Sequence, residues 1–325
     1  MSNKNGKLIL VTGGAGFIGS HIVEGLLEQG DRVRVLDNFS TGKMENLESL
    51  GNGKLTPGKD FELIRGDIRD LSTVEAACME TDGILHQAAL GSVPRSVEDP
   101  ATTQSVNVDG TLNVFLAART HNVPRVVYAS SSSVYGDSER LPKKEGTEGL
   151  PLSPYALTKR VNEDYGRLFS SLYGLETIGL RYFNVYGPRQ DPTSEYAAVI
   201  PRFVTALLHG RQPAIYGTGQ QSRDFTYVKD VVLANLIALD APLEACGRAY
   251  NIGRGDRSTL LELIATLKDL LNSDIEPFHT DPRAGDVMHS SADTALARET
   301  LGFAATSDLR TGLSRSIEWY RIHLV

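Results

Sequence analysis

Residues Lys7–Ser20 read KLILVTGGAGFIGS. A short apolar run ends in a glycine turn, and the turn opens onto a helix pattern through Gly25, Leu26 and Leu27. A run this short and this uniformly apolar predicts a strand buried on both faces of a parallel sheet. Gly13, Gly16 and Gly19 allow a tight turn and a close approach of backbone to a pyrophosphate. The helix that follows offers free N–H groups at its positive end. Outward from this turn, RVRVLDN predicts a second strand ending at Asp37, and FELIRGDIRD a third ending near Asp67. GILHQAA (Gly83–Ala89) predicts a fourth, RVVYASSSS a fifth, TIGLRYFNVYG a sixth with its loop, and AYNIG a short later one. VNVDGTLNVFLAARTHNV, Tyr155–Tyr173 and KDVVLANLIALDA read as helices. Strands alternating with helices argue for an α/β fold with helices on both faces of a parallel sheet. After Gly187 the alternation breaks, which predicts a smaller, discontinuous α/β lobe. The expected division is 1–186 plus about 224–253 for the nucleotide domain, and about 187–223 plus 254–325 for the second lobe.

Composition narrows the function classes. A chain of 325 residues is long enough for two lobes on a sizeable core. The net charge of −7 and the absence of a Lys/Arg block give no footing for a nucleic-acid polymer. Cys78 and Cys246 lie in no CxxC pair and no histidine cluster accompanies them, so neither a zinc site nor a disulfide scaffold is expected. No apolar stretch is long enough to span a bilayer and no secretory core precedes the first strand, so a cytoplasmic protein is expected.

Two features give the turn a chemistry. Asp37 ends the second strand 24 residues after Gly13, where a carboxylate can accept both adenosine ribose hydroxyls. It would repel a 2′-phosphate, so NAD is expected rather than NADP. Asp67, at the end of the third strand, either flanks adenine or caps a helix. Tyr155 and Lys159, in SPYALTKRVNE, share one face of a helix. A tyrosine is a poor base at neutral pH unless its phenolate is stabilised, and an ammonium one turn away, with a cationic nicotinamide, is expected to lower its pKa. Ser131, Ser132 and Ser133 end the fifth strand at the edge where ligands bind, and offer hydroxyls to a substrate oxygen.

TGGAGFIG, the YxxxK pair and RYFNVYGP resemble the extended short-chain dehydrogenase/reductase family, and the whole chain resembles its nucleotide-sugar 4-epimerases. HQAALGSVPRS, SRDFTYVKDVVLANLIA and RAGDVMHSSAD are most similar to the bacterial subgroup that interconverts UDP-N-acetylglucosamine and UDP-N-acetylgalactosamine. The resemblance implies a Rossmann-type domain with tightly bound NAD. It implies Ser131, Tyr155 and Lys159 as the catalytic set. Around the cofactor it implies Phe17, Ile18, Asn38, Ser40, Gly42, Ile68, Ala88 and Tyr182, with Asn107 behind the helix holding the lysine's surroundings. For the substrate it implies Ser92, Arg95, Ser132, Ser133, Asn184, Ala198, Val199, Asp286 and Ser290, with Arg223 and Arg283 on the diphosphate. Tyr216 meets uracil or belongs to the core. The implied reaction takes the O4 proton onto Tyr155 and a hydride from C4 onto NAD. The 4-keto sugar then turns over, and both are returned to its other face.

The alternatives separate by residue type. Dehydratases of this family carry an acid pair where Ser132 and Ser133 stand, and decarboxylases a glutamate in place of Ser133. UDP-glucuronate 4-epimerases share the ASSSSVYG run but tend to threonine in place of Asn184, and Arg95 fits a carboxylate as well as it fits the N-acetyl subgroup. Ser290 stands where members limited to UDP-glucose and UDP-galactose carry a tyrosine, so a serine leaves room for a 2-acetamido group. A relative that binds NAD or a nucleotide sugar without turnover is a further class. Relatives commonly form homodimers, and helices near Val108–His121 and Tyr155–Tyr173 have apolar faces that suit either a twofold pairing or burial within one subunit.

Overall fold

A computed structural model describes residues 6–56, 58–192, 198–282 and 288–324. Seven strands form one parallel sheet: β1 (Leu8–Thr12), β2 (Arg32–Asp37), β3 (Glu62–Arg65), β4 (Gly83–His86), β5 (Arg125–Ser131), β6 (Glu176–Tyr182) and β7 (Arg248–Ile252). Their order is β7-β6-β5-β4-β1-β2-β3. The order reverses between β1 and β4, which opens a crevice at the carboxyl ends of those two strands. Register there is set by Ile9 opposite Gly83 and Val11 opposite Leu85. β3 and β4 are shorter than the sequence predicts. The chain leaves the ladder at Gly66 and at Gln87, so Asp67 and Ala88 lie in the loops above the sheet.

Helices cover both faces. On one, α1 (Phe17–Gln29) and α6 (Val228–Leu239) bury Ile22, Leu26, Val231 and Ala234 against β1 and β2. On the other, α2 (Leu71–Cys78), α3 (Gly110–Thr120) and α4 (Pro154–Tyr173) pack Val74, Val114, Phe115 and Phe169 around Leu10 and Tyr128. The Cys78 thiol is fully buried in this layer and burial pushes it up to about 12, as befits a core residue, while Cys246 is also a free thiol. Truncating Phe115 to alanine would remove a fully buried ring and cost about 3–5 kcal/mol.

The helix α4 is delimited by its sequence. Ser153 caps it by accepting from the Ala156 amide at 3.1 Å, Pro154 occupies the first turn, and Gly174 ends it at φ 71.

A second core joins α5 (Val199–Leu208), α7 (Leu260–Leu271) and α9 (Leu309–Leu324) through Phe203, Leu263, Leu313 and Tyr320. The helix α8 (Ala295–Leu301) departs from the expected division. Its Ala297 and Leu301, with Phe303, pack into the core of the main sheet and not into the second lobe.

Candidate active site

A cleft of about 320 Å³ lies over the β1/β4 crevice. Gly13 sits at φ 69, and a Cβ there would fall 2.6 Å from the Ala88 amide nitrogen. A Cβ on Gly19 would fall 2.0 Å from the Gly13 carbonyl oxygen. Backbone packs this closely only where both residues are glycine. No side chain caps the first turn of α1, so its free N–H groups face the cleft floor. These features suit a dinucleotide's pyrophosphate.

Asp37 is buried at the rim. Its two carboxylate oxygens accept from the Ala15 amide at 2.9 Å and the Phe39 amide at 2.8 Å. A carboxylate has about four acceptor positions, so two remain for ribose hydroxyls. Burial raises its pKa and those two amides oppose the rise. Asn38, Ser40, Gly42, Phe17, Ile18, Ile68, Ala88 and Tyr182 also line the cleft.

Asp67 stands behind this wall. It accepts from Asn38 Nδ2 at 2.8 Å and from Arg69 at 2.7 and 3.0 Å. The Arg69 guanidinium holds the Asp67 carboxyl well below the usual range. Its visible work is to orient Asn38.

Asn107 is likewise behind the wall. It lies in a π turn, Ser105–Asp109, that runs into α3. Its side chain holds both backbone groups of Leu90, at 2.8 and 3.2 Å, and donates to Thr158 Oγ1 at 3.2 Å. Its carbonyl, freed by the π turn, accepts from Asn162 Nδ2 at 2.9 Å and Thr111 Oγ1 at 2.6 Å. The residue ties the Leu90 loop to α4.

Ser131, Lys159 and Tyr155 meet where β5, β6 and α4 converge. Ser131 lies opposite Tyr182 in the β5/β6 register. Its hydroxyl donates to Ser133 Oγ at 3.1 Å and accepts from the Ser133 amide at 3.1 Å, while Ser132 and Ser133 are half-buried. Lys159 is buried, donates to the Ala129 carbonyl at 2.8 Å, and lies 6.0 Å from the centre of the Tyr155 ring. Burial pushes Lys159 down to about 8. Burial pushes the Tyr155 phenol up, and its hydrogen bond with Ser131 pulls it back in part. The expected lowering of this phenol by Lys159 is therefore not what dominates in the protein alone.

Sequence reasoning missed the groups that hold Tyr182. Its hydroxyl donates to Gln87 Oε1 at 3.0 Å and accepts from Asn235 Nδ2 at 2.8 Å, while Gln87 donates to Asn235 at 3.0 Å. The signal was a lone asparagine in the apolar run VVLANLIAL. His86 was missed as well. It is buried, with its ring nitrogens 2.6 Å from Thr12 Oγ1 and 2.9 Å from Thr111 Oγ1.

On the substrate side the structure joins some predicted residues and separates others. Ser92 caps the helix Val93–Glu98 by accepting from the Arg95 amide at 3.2 Å. That helix docks on α4 through Ser96, which accepts from the Tyr155 amide at 3.1 Å. Asn184 has φ 30 and donates to the Asp224 carbonyl at 3.1 Å. The Ser290 amide donates to the Ser222 carbonyl at 3.0 Å, which sets Ser290 beside Arg223. The buried Asp224 carboxylate fastens this region, accepting from the amides of Arg254 at 2.9 Å, Gly255 at 3.0 Å and Ala292 at 3.1 Å. Ala198, Val199 and Tyr216 belong to the second lobe, where Tyr216 stacks under Arg202 at 5.5 Å. Arg283 and Asp286 lie outside the described residues.

Residues 9–253 match the family described as NAD dependent epimerase/dehydratase. A putative UDP-glucose 4-epimerase of Methanocaldococcus jannaschii is 41% identical over 97% of this chain and 98% of its own. UDP-glucuronate 4-epimerase 4 of Arabidopsis thaliana is 33% identical over 98% of this chain and 76% of its own. Among solved structures, UDP-N-acetylglucosamine 4-epimerase from Methanobrevibacter ruminantium, in complex with UDP-N-acetylmuramic acid, superposes with a TM-score of 0.92 at 39% identity, covering 98% of this chain and all of the other. The Thermotoga maritima UDP-glucose 4-epimerase with UDP-glucose gives 0.90 at 37% identity, with 98% and 100% covered. The Thermus thermophilus UDP-glucose 4-epimerase with NAD gives 0.86 at 36% identity, with 97% and 99% covered. With a glycine turn that only backbone can fill and a phenol and ammonium at its far wall, the chain belongs to the NAD-dependent epimerase/dehydratase family, and NAD is its cofactor.

Proposed function

We propose that this protein inverts C4 of UDP-N-acetylglucosamine and UDP-N-acetylgalactosamine reversibly, and of UDP-glucose and UDP-galactose more slowly. The observation that carries the reading is that Tyr155 and Lys159 stand on the wall of the dinucleotide cleft with Ser131 hydrogen-bonded to Tyr155, and that Ser132 and Ser133 follow it instead of an acid pair. Loss of water from the sugar needs acids at those two positions; inversion at C4 does not.

The chemistry that bound NAD supplies is two-electron exchange with C4 of the sugar, out and back. The chain's own residues do the rest. Tyr155 takes the O4 proton as a phenolate and returns it. Ser131 holds O4 through its hydroxyl, and Lys159 keeps positive charge near the phenolate. Gly13, Gly16, Gly19, Asp37 and Asn38 hold the cofactor throughout, since no net redox occurs. Arg223, with Asn184 and with Arg283 from outside the described residues, anchors the diphosphate while the hexose is held weakly enough to turn. Guanidinium groups suit that task because their donors match phosphate oxygens. The half-buried Ser290 beside Arg223 leaves space for the 2-acetamido group.

A second reading, UDP-glucuronate 4-epimerase, is favoured by Arg95, which lies on the short helix that docks on the Tyr155 amide through Ser96. A homodimer is proposed on the apolar residues that α4 and the Val93–Glu98 helix leave exposed, among them Val97, Leu157, Leu168 and Leu172.

The deciding experiment incubates purified protein, without added NAD, with UDP-N-acetylglucosamine, UDP-N-acetylgalactosamine, UDP-glucose and UDP-glucuronate in turn, each resolved from its C4 epimer by proton NMR. Fastest conversion of the N-acetyl pair is the expected result. Turnover of UDP-glucuronate alone would move the protein to the acid-sugar enzymes, and turnover of none, with NAD bound, would make it a non-catalytic relative.

A further inference from the structure

One turn beyond Lys159 on the same face of α4 lies Glu163, a residue the reaction above does not use. It is almost fully buried. Its Oε1 accepts from Ser130 Oγ at 2.5 Å and from Arg181 Nε at 2.8 Å, and its Oε2 accepts from Arg181 Nη2 at 2.7 Å. Ser130 and Arg181 are register partners in β5 and β6, one residue before Ser131 and Tyr182. Each of three groups at the reactive centre therefore adjoins one member of a single buried network. Arg181 also bonds Glu148, and donates to the Tyr135 hydroxyl at 2.9 Å. Two carboxylates thus share one guanidinium, and the surplus negative charge has the buried Lys159 ammonium as its neighbour. An ammonium removed from water tends to shed its proton unless a carboxylate holds it.

We propose that Glu163 is a positioning residue for the reaction: it pins the ends of β5 and β6 beneath Ser131 and Tyr182, and its charge keeps Lys159 an ammonium at the pH of turnover. This rests on the reading of Tyr155 and Lys159 as the reactive pair. The direction of the Lys159 shift agrees, since burial lowers it and Glu163 is the group that raises it. Among the described residues, the other titratable groups around the pair include Tyr155 and Asp164 on α4, His86 on β4, Tyr128 on β5, Arg181 and Tyr182 on β6, Tyr135 after β5, and Glu145 and Glu148 in the loop before α4. None of them is a second carboxylate on the face of α4 that carries Lys159.

The test is Glu163→Gln in the NAD-loaded enzyme, which keeps the size of the side chain and removes the charge. Two readouts are taken. One is the titration of Lys159, followed by the carbon-13 shift of its Cε in lysine-labelled protein and assigned with Lys159→Arg. The other is kcat with saturating UDP-N-acetylglucosamine across about pH 6–10. The titration is expected to move down by about half a unit or more, and the alkaline fall in kcat to move with it. An unmoved titration overturns the proposal, as does a uniform loss of kcat with its pH limb unshifted, which a mere strut would give. If Glu163→Gln does not fold, Glu148→Gln removes a charge from the same network at a more exposed place. A smaller shift in the same direction supports the proposal and none overturns it. Because the NMR titration needs no turnover, a protein inert toward every UDP-sugar would fail the epimerase reading while leaving this test intact.

Discussion

At the scale of single residues, Tyr155 is where the structure makes its sharpest demand. A general base in proton transfer contributes about 10²–10⁴-fold. Tyr155→Phe should therefore lower kcat by about that factor while KM and bound NAD, read by absorbance after denaturation, stay near wild type. Loss of NAD with the activity would point to a structural ring instead. On the proposed mechanism Lys159 sets the working pH window. It sits at about 8, below its ordinary value, so the ammonium is present at neutral pH and is lost as pH rises through about 8. Ser290→Tyr should suppress turnover of the N-acetyl sugars selectively, and an equal loss on UDP-glucose would sink the size argument. Tyr155, Lys159 and Ser131 were legible because one helical turn and one strand end put them together. Gln87 and Asn235 were not. They are 148 residues apart in sequence, and only the packing of α6 on the sheet brings them to Tyr182.

At the scale of elements, the turn after β1 leaves no room for a side chain at Gly13 or Gly19. Gly19→Ala would force a methyl into the Gly13 carbonyl, so the purified variant should carry little NAD even where its circular dichroism is native. Retention of a full complement would mean that the turn can shift. This turn was readable because its glycines recur within seven residues and the strand before them is uniformly apolar. The true lengths of β3 and β4 were harder to read, since the apolar run continues past the last ladder bond and nothing in the side chains marks where pairing stops. The role of Asn107 needed the π turn, which no spacing reveals. The destination of residues 295–303 needed the sheet itself, because an apolar helix face does not say which core it will join.

At the scale of the whole molecule, stability and assembly can be tested apart from catalysis. Burial pushes the His86 imidazole down to about 3, against about 6.5 in an unfolded chain. Above that unfolded value both states are neutral. As pH falls from about 6.5 toward 3 only the unfolded chain takes the proton, and folding stability drops by up to about 1.4 kcal/mol per pH unit. His86→Gln should flatten the difference in urea midpoint between about pH 7.5 and 5.5, and an unchanged difference would assign the acid sensitivity elsewhere. Leu157→Glu with Leu168→Glu should give a monomer by light scattering if the exposed face of α4 joins two subunits, and an unaltered mass would remove that face from the interface. The order of the sheet carries a consequence for synthesis. β1 is made first yet sits third from one edge, and its partner β4 is complete only at His86. The outermost strand, β7, ends at Ile252. At about 5–20 residues per second a ribosome needs roughly 13–50 s to reach it. Over the last roughly 3.5–14 s of that time, after Tyr182 is made, the growing chain carries β6 with one side unpaired, and its apolar Ile178 and Leu180 are what a holding chaperone would find.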